Sequence, residues 1–269
     1  MSVSAPLAAI RTQHPLLHCI SNIVSANDCA NLALAVGASP MMAQAPEEMA
    51  DITAIAAATV LNTGTPDSAK FDACRICGRE AAALGRPVVL DPVGVGASPW
   101  RLDNIRRLLA VCTPTILRVN LGEAQALLRL RSQEQGVDSP GASTREERLR
   151  RAAALAAELR TTVLLSGPED IVTDGSSAWC CTGGSGRMAQ VTGTGCMLSV
   201  LCGVFAAVEP EPREAALLAA AFWKVCSRRA DRAAGETGPG SFRTALLDAA
   251  GALTAADLER EAELFPLSL

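Results

Sequence analysis

Pro87-Val-Val-Leu-Asp-Pro-Val-Gly-Val-Gly96 decides how this chain is read. Val88, Val89 and Leu90 run without a polar interruption. The run then ends on Asp91, Pro92 and a glycine-rich loop. A short apolar stretch with turn residues behind it predicts a strand covered on both faces. Trp100 to Val111 follows with helical spacing. Thr115-Ile-Leu-Arg-Val-Asn120 is a second strand of the same kind and leads into a helix from Gly122 to Leu130. Strand, helix, strand, helix in this order predicts parallel strands joined by helical crossovers.

The alternation extends in both directions. Upstream, Leu16 to Ile20 reads as a strand end, and Asn22 through Val36 as a helix stopped by Gly37. Gly37-Ala-Ser-Pro-Met-Met42 turns into a brief strand. Pro46-Glu-Glu48 opens a helix, with proline and acids in its first turn. Thr59 to Thr65 is a strand running into a polar loop, and Asp67 to Leu84 a helix. Downstream, Gln133 to Gly141 is a polar loop. Ser143-Thr-Arg-Glu146 is a capping box that opens a helix to Leu159. Thr161 to Ser166 is a strand, and Ile171 to Cys181 a hairpin around Asp174-Gly175. Met188 to Thr192 reads as a short strand. Everything after Cys196 reads as helical, broken at Glu209-Pro210 and Gly238-Pro-Gly240. No repeat or low-complexity linker divides the chain. The expectation is a single domain over residues 1–269: an α/β layered sandwich, its mostly parallel central sheet carrying helices on both faces.

Composition narrows the function. The 269 residues are 49 % hydrophobic but only 3 % aromatic, with no Tyr, so the core is built from Ala, Leu and Val. The net charge of −4 argues against nucleic acid as a partner. The arginines between Arg145 and Arg160 alternate with Glu146, Glu147 and Glu158, as on a solvated helix face. No apolar run reaches the ~20 residues of a membrane span. The 10 cysteines follow no disulfide framework and no secretory signal precedes them, which points to the cytoplasm. Cys74 and Cys77 form a CxxC without the matching second pair that a zinc site needs.

Chemistry collects where the strands end. In open parallel sheets a ligand lies beyond the carboxyl ends of the strands. Asn62 and Thr63, Asp91, Arg118, Asn120 and Glu123, and then Ser166 and Gly167 fall there. Val191-Thr-Gly-Thr-Gly-Cys-Met-Leu-Ser199 closes the row. Gly193, Thr194 and Gly195 precede an apolar helix, so this loop is open to two readings. It is a tight turn that lets the helix pack, or a cradle in which free amides and the helix dipole hold an anion. A helix N-terminus also lowers a thiol pKa, which makes Cys196 a candidate proton acceptor. Individually, Asp91 could cap a helix and Glu123 could pair with Arg118. Together the row supplies acids for Mg²⁺, a cation for phosphates and an anion hole.

His18-Cys-Ile-Ser-Asn22, Gly37 to Met42, Asp91-Pro-Val-Gly94, Arg118-Val-Asn-Leu-Gly-Glu123, Gly136-Val-Asp-Ser139 and Thr192-Gly-Thr-Gly-Cys196 occur in this order. Over about residues 14–230 the chain resembles hydroxyethylthiazole kinase, the thiamine-pathway member of the ribokinase-like superfamily. Other ribokinase-like enzymes usually carry Asp where Cys196 stands. The resemblance implies a ribokinase-like fold and ATP-dependent phosphorylation of the hydroxyl of 4-methyl-5-(2-hydroxyethyl)thiazole, with Mg²⁺. It implies that Met42, Gly193 and Asn22 meet the thiazole alcohol, with Cys196 at the base position. It assigns Arg118, Ser166, Asn120, Thr194 and Gly195 to ATP, and Asp91 and Glu123 to the metal, largely through water. It also implies a homotrimer with sites between subunits. The chain departs from the family's Arg-Gly-Asn-Ala-Ser-Glu at Val119, Leu121 and Gly122. Ser166 stands where Thr is common, and Ile23 where Tyr is frequent.

Three rival readings remain at this stage. One is a ribokinase-like kinase for a pyrimidine alcohol or a sugar. Another is an acyl transferase or hydrolase with Cys196 as nucleophile, which needs a base beside the thiol. His14 and His18 are the only histidines available for it. The third is a ligand-binding module without catalysis.

Overall fold

Val88–Asp91 and Ile116–Val119 are buried at every position, as strands covered on both faces must be. The computed structural model describes residues 4–131 and 144–269. In chain order these form α1 (Ser4–Gln13), β1 (Leu16–Ile20), α2 (Ala26–Val36), β2 (Ser39–Met41), α3 (Met49–Ile55), β3 (Ala58–Asn62), α4 (Ser68–Ala83) and β4 (Val88–Asp91). Then come α5 (Pro99–Leu109), β5 (Ile116–Val119), α6 (Leu121–Arg131), α7 (Arg145–Leu159), β6 (Thr162–Leu165), β7 (Asp170–Thr173) and β8 (Ala178–Thr182). The chain finishes with α8 (Thr194–Ala206), α9 (Pro212–Ala234), α10 (Pro239–Ala252), α11 (Ala255–Glu261) and β9 (Glu263–Leu267).

The strands form one sheet in the order β2-β1-β3-β4-β5-β6-β7-β8-β9. Pairings from β2 to β6 are parallel, and those from β6 to β9 antiparallel. Side chains alternate between the two faces of a strand. Val89, Ile116 and Leu164 therefore join a core with α2, α8, α9 and α10. Val88, Leu90, Leu117, Val163 and Leu165 join a second core with α4, α5, α6 and α7. The expected sandwich, with a mostly parallel sheet and helices on both faces, is what forms. Among the described residues no helix is long and apolar enough to cross a membrane.

Several local expectations give way to tertiary context. Residues 4–13, for which the sequence suggests no element, are helical, with Pro6 tolerated in the first turn. The helix expected from Asn22 begins at Ala26, because the Asn22 side chain accepts from Val24 and Ser25 N–H and holds a turn instead. Gly186–Gln190 is a single 3-10 turn, where a strand was expected over 188–192. The tail is not wholly helical: β9 adds an edge strand to β8. Thr144 caps α7 by accepting from Glu147 N–H, so the cap falls one residue after the expected Ser143. Ser143, the polar loop at 133–141 and the Gly136–Ser139 tetrad lie outside the described residues.

α8 lies directly on the sheet. A Cβ at Gly203 would sit 2.6 Å from Val60 Cγ2 and 2.8 Å from Leu17 Cδ1. The chain therefore needs a glycine there despite its cost within a helix. Gly203→Ala is expected to destabilise by about 1–2 kcal/mol through overpacking. A thermal melt should read this as a loss of a few degrees.

Candidate active site

Because β1, β3, β4, β5 and β6 are parallel, their carboxyl ends lie along one edge of the sheet. Asn22 follows β1, Asn62 ends β3 and Asp91 ends β4. Arg118 lies near the end of β5, and Ser166 follows β6. These five side chains, with Cys196 from α8, form one hydrogen-bonded row. Asn22 Nδ2 donates to Cys196 Sγ at 3.1 Å and to Asn62 Oδ1 at 3.2 Å. Asn62 Nδ2 donates to Asp91 Oδ2 at 2.9 Å. Arg118 Nη1 donates to Asp91 Oδ1 at 3.2 Å, and its Nη2 donates to Ser166 Oγ at 2.9 Å. The row runs from the thiol to the serine through Asp91 at its centre.

Asp91 is 0 % exposed. Burial pushes its carboxyl up to about 6, with Arg118 pulling it back and Glu123 adding to the rise. Ser199 on α8 supplies another donor, Oγ to Asp91 Oδ2 at 2.7 Å. Arg118 thus pairs with Asp91, and the alternative pairing with Glu123 does not form. Glu123 instead accepts from Gly94 N–H at 3.0 Å and Asn120 N–H at 2.9 Å. Asn120 caps α6, its Oδ1 accepting from Glu123 N–H at 2.9 Å.

The loop at the start of α8 closes over this row. Gly193 has φ +84°, a conformation that favours glycine, and a Cβ there would lie 2.7 Å from Ser25 Cβ. A Cβ at Gly195 would lie 2.9 Å from Arg118 Cζ, so the guanidinium rests against the loop backbone. Arg118 Nε is buried and unpartnered. A cavity of about 490 Å³ opens here, lined by Arg118, Ser166, Gly167, Pro168, Thr194, Gly195, Trp223 and Lys224, among others. Arg118 itself lines the cavity, and a guanidinium at the wall of such a cavity suits an anionic ligand.

The sequence-predicted residues therefore divide into two groups with Asp91 between them. Arg118, Ser166, Thr194 and Gly195 line the cavity. Asn22, Gly193 and Cys196 gather toward the β1 side, and Met42 follows the neighbouring edge strand β2. Asn120 is not among the cavity-lining residues. Among the described residues no group of three or more His, Cys, Asp or Glu could cage a metal. Asp91 and Glu123 already accept protein donors at both oxygens. That donor set fits an ion held chiefly by phosphate oxygens and water, with the two carboxylates behind the water.

Cys196 corrects one expectation. Its thiol is raised, not lowered, first by burial and then by the charge of Asp91. Neither histidine serves it as a base. His18 bonds Ala43 O and Cys77, and His14 bonds Gly37 O. Cys74 and Cys77 are buried in α4, and burial pushes Cys74 up to about 12. Sequence reading missed Ser199, Trp223, Lys224 and Asp170. Ser199 left one signal, as the polar residue within the apolar run after Cys196.

The family model described as the hydroxyethylthiazole kinase family matches residues 7–256. A hydroxyethylthiazole kinase of Methanoculleus marisnigri is 42 % identical over 258 residues, covering 96 % of this chain and 91 % of that protein. The solved hydroxyethylthiazole kinase of Pyrococcus horikoshii superposes with a TM-score of 0.90 at 33 % identity, over 99 % of both chains. The pyridoxal kinase of Staphylococcus aureus, solved with ADP, superposes at 0.62 and 16 % identity, over 80 % of this chain and 88 % of that one. This last likeness shows the shared fold alone.

All ten cysteines lie among the described residues, and Cys196 is the only one not buried. Iodoacetamide at pH 7.5 should modify it selectively, yet more slowly than free cysteine. Labelling faster than free cysteine, followed by mass spectrometry, would contradict a raised thiol.

Proposed function

The chain belongs to the hydroxyethylthiazole kinase family, and from that premise we propose how its own residues divide the work of phosphorylating a thiazole alcohol. The reaction is phosphoryl transfer from ATP to the hydroxyl of 4-methyl-5-(2-hydroxyethyl)thiazole, within thiamine salvage. Residues 1–269 work as a single ribokinase-like kinase domain. ATP occupies the cavity, its phosphates against Arg118, Ser166 and the Thr194–Gly195 amides. The alcohol occupies the other half-site, against Asn22, Met42 and Gly193, with its hydroxyl facing Cys196. The observation that carries this reading is the hydrogen-bonded row from Cys196 through Asp91 to Ser166. It joins an alcohol half-site to an anion half-site across a single carboxylate.

Arg118 holds the transferring phosphate while Asp91 fixes the guanidinium. Asn120 acts through Glu123, which it holds in place. Cys196 is a neutral thiol that seats the hydroxyl. A loose phosphoryl-transfer transition state releases the alcohol proton late and asks little of a base. Mg²⁺, when bound near Asp91 and Glu123, supplies charge neutralisation on the phosphates. Ile23, 83 % exposed, and Val24 form an apolar rim beside Asn22. That rim supports a homotrimer in which a neighbouring subunit covers the alcohol half-site. Ten cysteines without a disulfide fit a reducing cytoplasm.

The primary test is ADP release from Mg-ATP and the thiazole alcohol. Release should depend on the alcohol and stop with chelator; alcohol-independent release would sink the reading. In single-turnover assays Cys196→Ala should slow transfer by less than about 10-fold. Arg118→Ala and Asp91→Ala should each cost about 100-fold or more, since they remove charge aimed at the transferring group.

Asp91 also sets a pH dependence. Above about 6 the carboxyl is ionised; as pH falls through that value it takes a proton and loses its hold on Arg118. The profile of kcat/KM, which reports the free enzyme, should show an acid limb near pH 6. The residual activity of Asp91→Asn should lack it.

A further inference from the structure

We propose that one face of α9 sets the width of the nucleotide pocket, with Trp223 and Lys224 as positioning residues for ATP. This rests on the kinase reading above and extends it to a helix that contributes nothing to the strand-tip row.

Three loops line the cavity, and α9 ties down each of them. Trp223 Nε1 donates to Thr194 O at 3.0 Å and fixes the loop at the start of α8. Lys224 Nζ donates to Gly167 O at 2.9 Å and Pro168 O at 3.0 Å, fixing the loop after β6. Ser185 N–H donates to Ser227 Oγ at 3.0 Å, fixing the loop after β8. Ser227 lies four positions from Trp223 and three from Lys224, so it stands beside both on one side of the helix.

Lys224 does not itself reach for phosphate. An ammonium has three N–H bonds. Two go to the carbonyls, and the third faces Asp170 Oδ1 at 3.3 Å. Asp170 also accepts from Gly167 N–H at 2.9 Å, so Gly167 is held at both its N–H and its carbonyl. Lys224 is 7 % exposed and Asp170 3 %. The third loop is fitted to the lysine stem: a Cβ at Gly184 would lie 2.5 Å from Lys224 Cδ.

A helix that only filled the core would not need this. From Ala215 to Phe222 and at Val225 and Cys226, α9 is buried and apolar. Its buried polar side chains begin beneath the cavity, and they reach the loops that line it. A buried Lys–Asp pair is an expensive way to fill space. Its use here is to hold backbone at a set distance across the pocket, which preorganises the walls before ATP arrives.

Trp223→Phe keeps a benzene ring but removes the pyrrole ring with its N–H, so the helix face stays apolar while the tie to Thr194 is lost. Lys224→Met removes the loop tie as well as the charge. For Trp223→Phe, Kd by calorimetry with a non-hydrolysable ATP analogue and Mg²⁺, and KM for ATP, should rise about 5-fold, the value of one hydrogen bond. For Lys224→Met both should rise about 10-fold or more. KM for the thiazole alcohol should stay within about 2-fold, and Trp223→Phe should still melt cooperatively, a few degrees below the unaltered chain without nucleotide. Nucleotide affinity unchanged in Trp223→Phe overturns the proposal. So does an equal rise in both KM values. If the unaltered chain binds no nucleotide, the kinase reading falls with it.

Discussion

A carboxylate with no access to water must be surrounded by donors, and Asp91 is that carboxylate. Its partners come from three other elements: Asn62 from β3, Arg118 from β5 and Ser199 from α8. An unpaired charge at this depth costs several kcal/mol, so none of the three donors can be lost without consequence. The burial that makes Asp91 demanding also fixes the elements around it. Arg118 then has one guanidinium edge committed to Asp91 and another to Ser166, and lies flat enough against Gly195 that no side chain fits between them.

The sheet explains why these groups meet. Residues at the ends of parallel strands are far apart in the chain but adjacent in space, and a gap in a polar row is costly when the row is buried. Asp91 lies on β4, with β1 and β3 on one side and β5 and β6 on the other. The two proposed half-sites inherit that order. Gly193–Cys196 faces both, because α8 begins over the centre of the row. Gly203 lets the same helix settle onto β1 and β3.

What the sequence made legible follows from the same physics. Strands buried on both faces read as apolar runs, so β4 was visible from Val88 to Leu90 and β5 despite Arg118 within it, and so were the polar residues near their ends. The glycines at 193 and 195 marked the loop at the start of α8 for a local reason, the close approach of Ser25 and Arg118. Where an element depends on partners distant in sequence, local reading failed. β9 exists because β8 offers an open edge, and its sequence Glu263-Leu-Phe-Pro-Leu267 carries no alternation that announces it. Residues 186–190 became a 3-10 turn, with Arg187 tied to Asp231 and to the carbonyl of Gly235. Trp223 and Lys224 sit within a long helix whose apolar pattern reads as core. Nothing local says that their polar atoms meet loops 29 and 57 positions away.

The thiol is the instructive failure. Helix-start logic alone lowers the pKa of Cys196, and the structure raises it. Burial and the Asp91 charge both oppose the thiolate at this position. The same two facts make the neutral thiol the form that the proposed reaction uses. Phosphoryl transfer is governed by positioning and by charge on the phosphate oxygens, and proton removal comes late. A strong base would add little, and a second anion beside Asp91 would repel the incoming nucleotide. On the proposed reading, a thiol held by Asn22 marks the place of the hydroxyl without adding negative charge to the nucleotide side of the site.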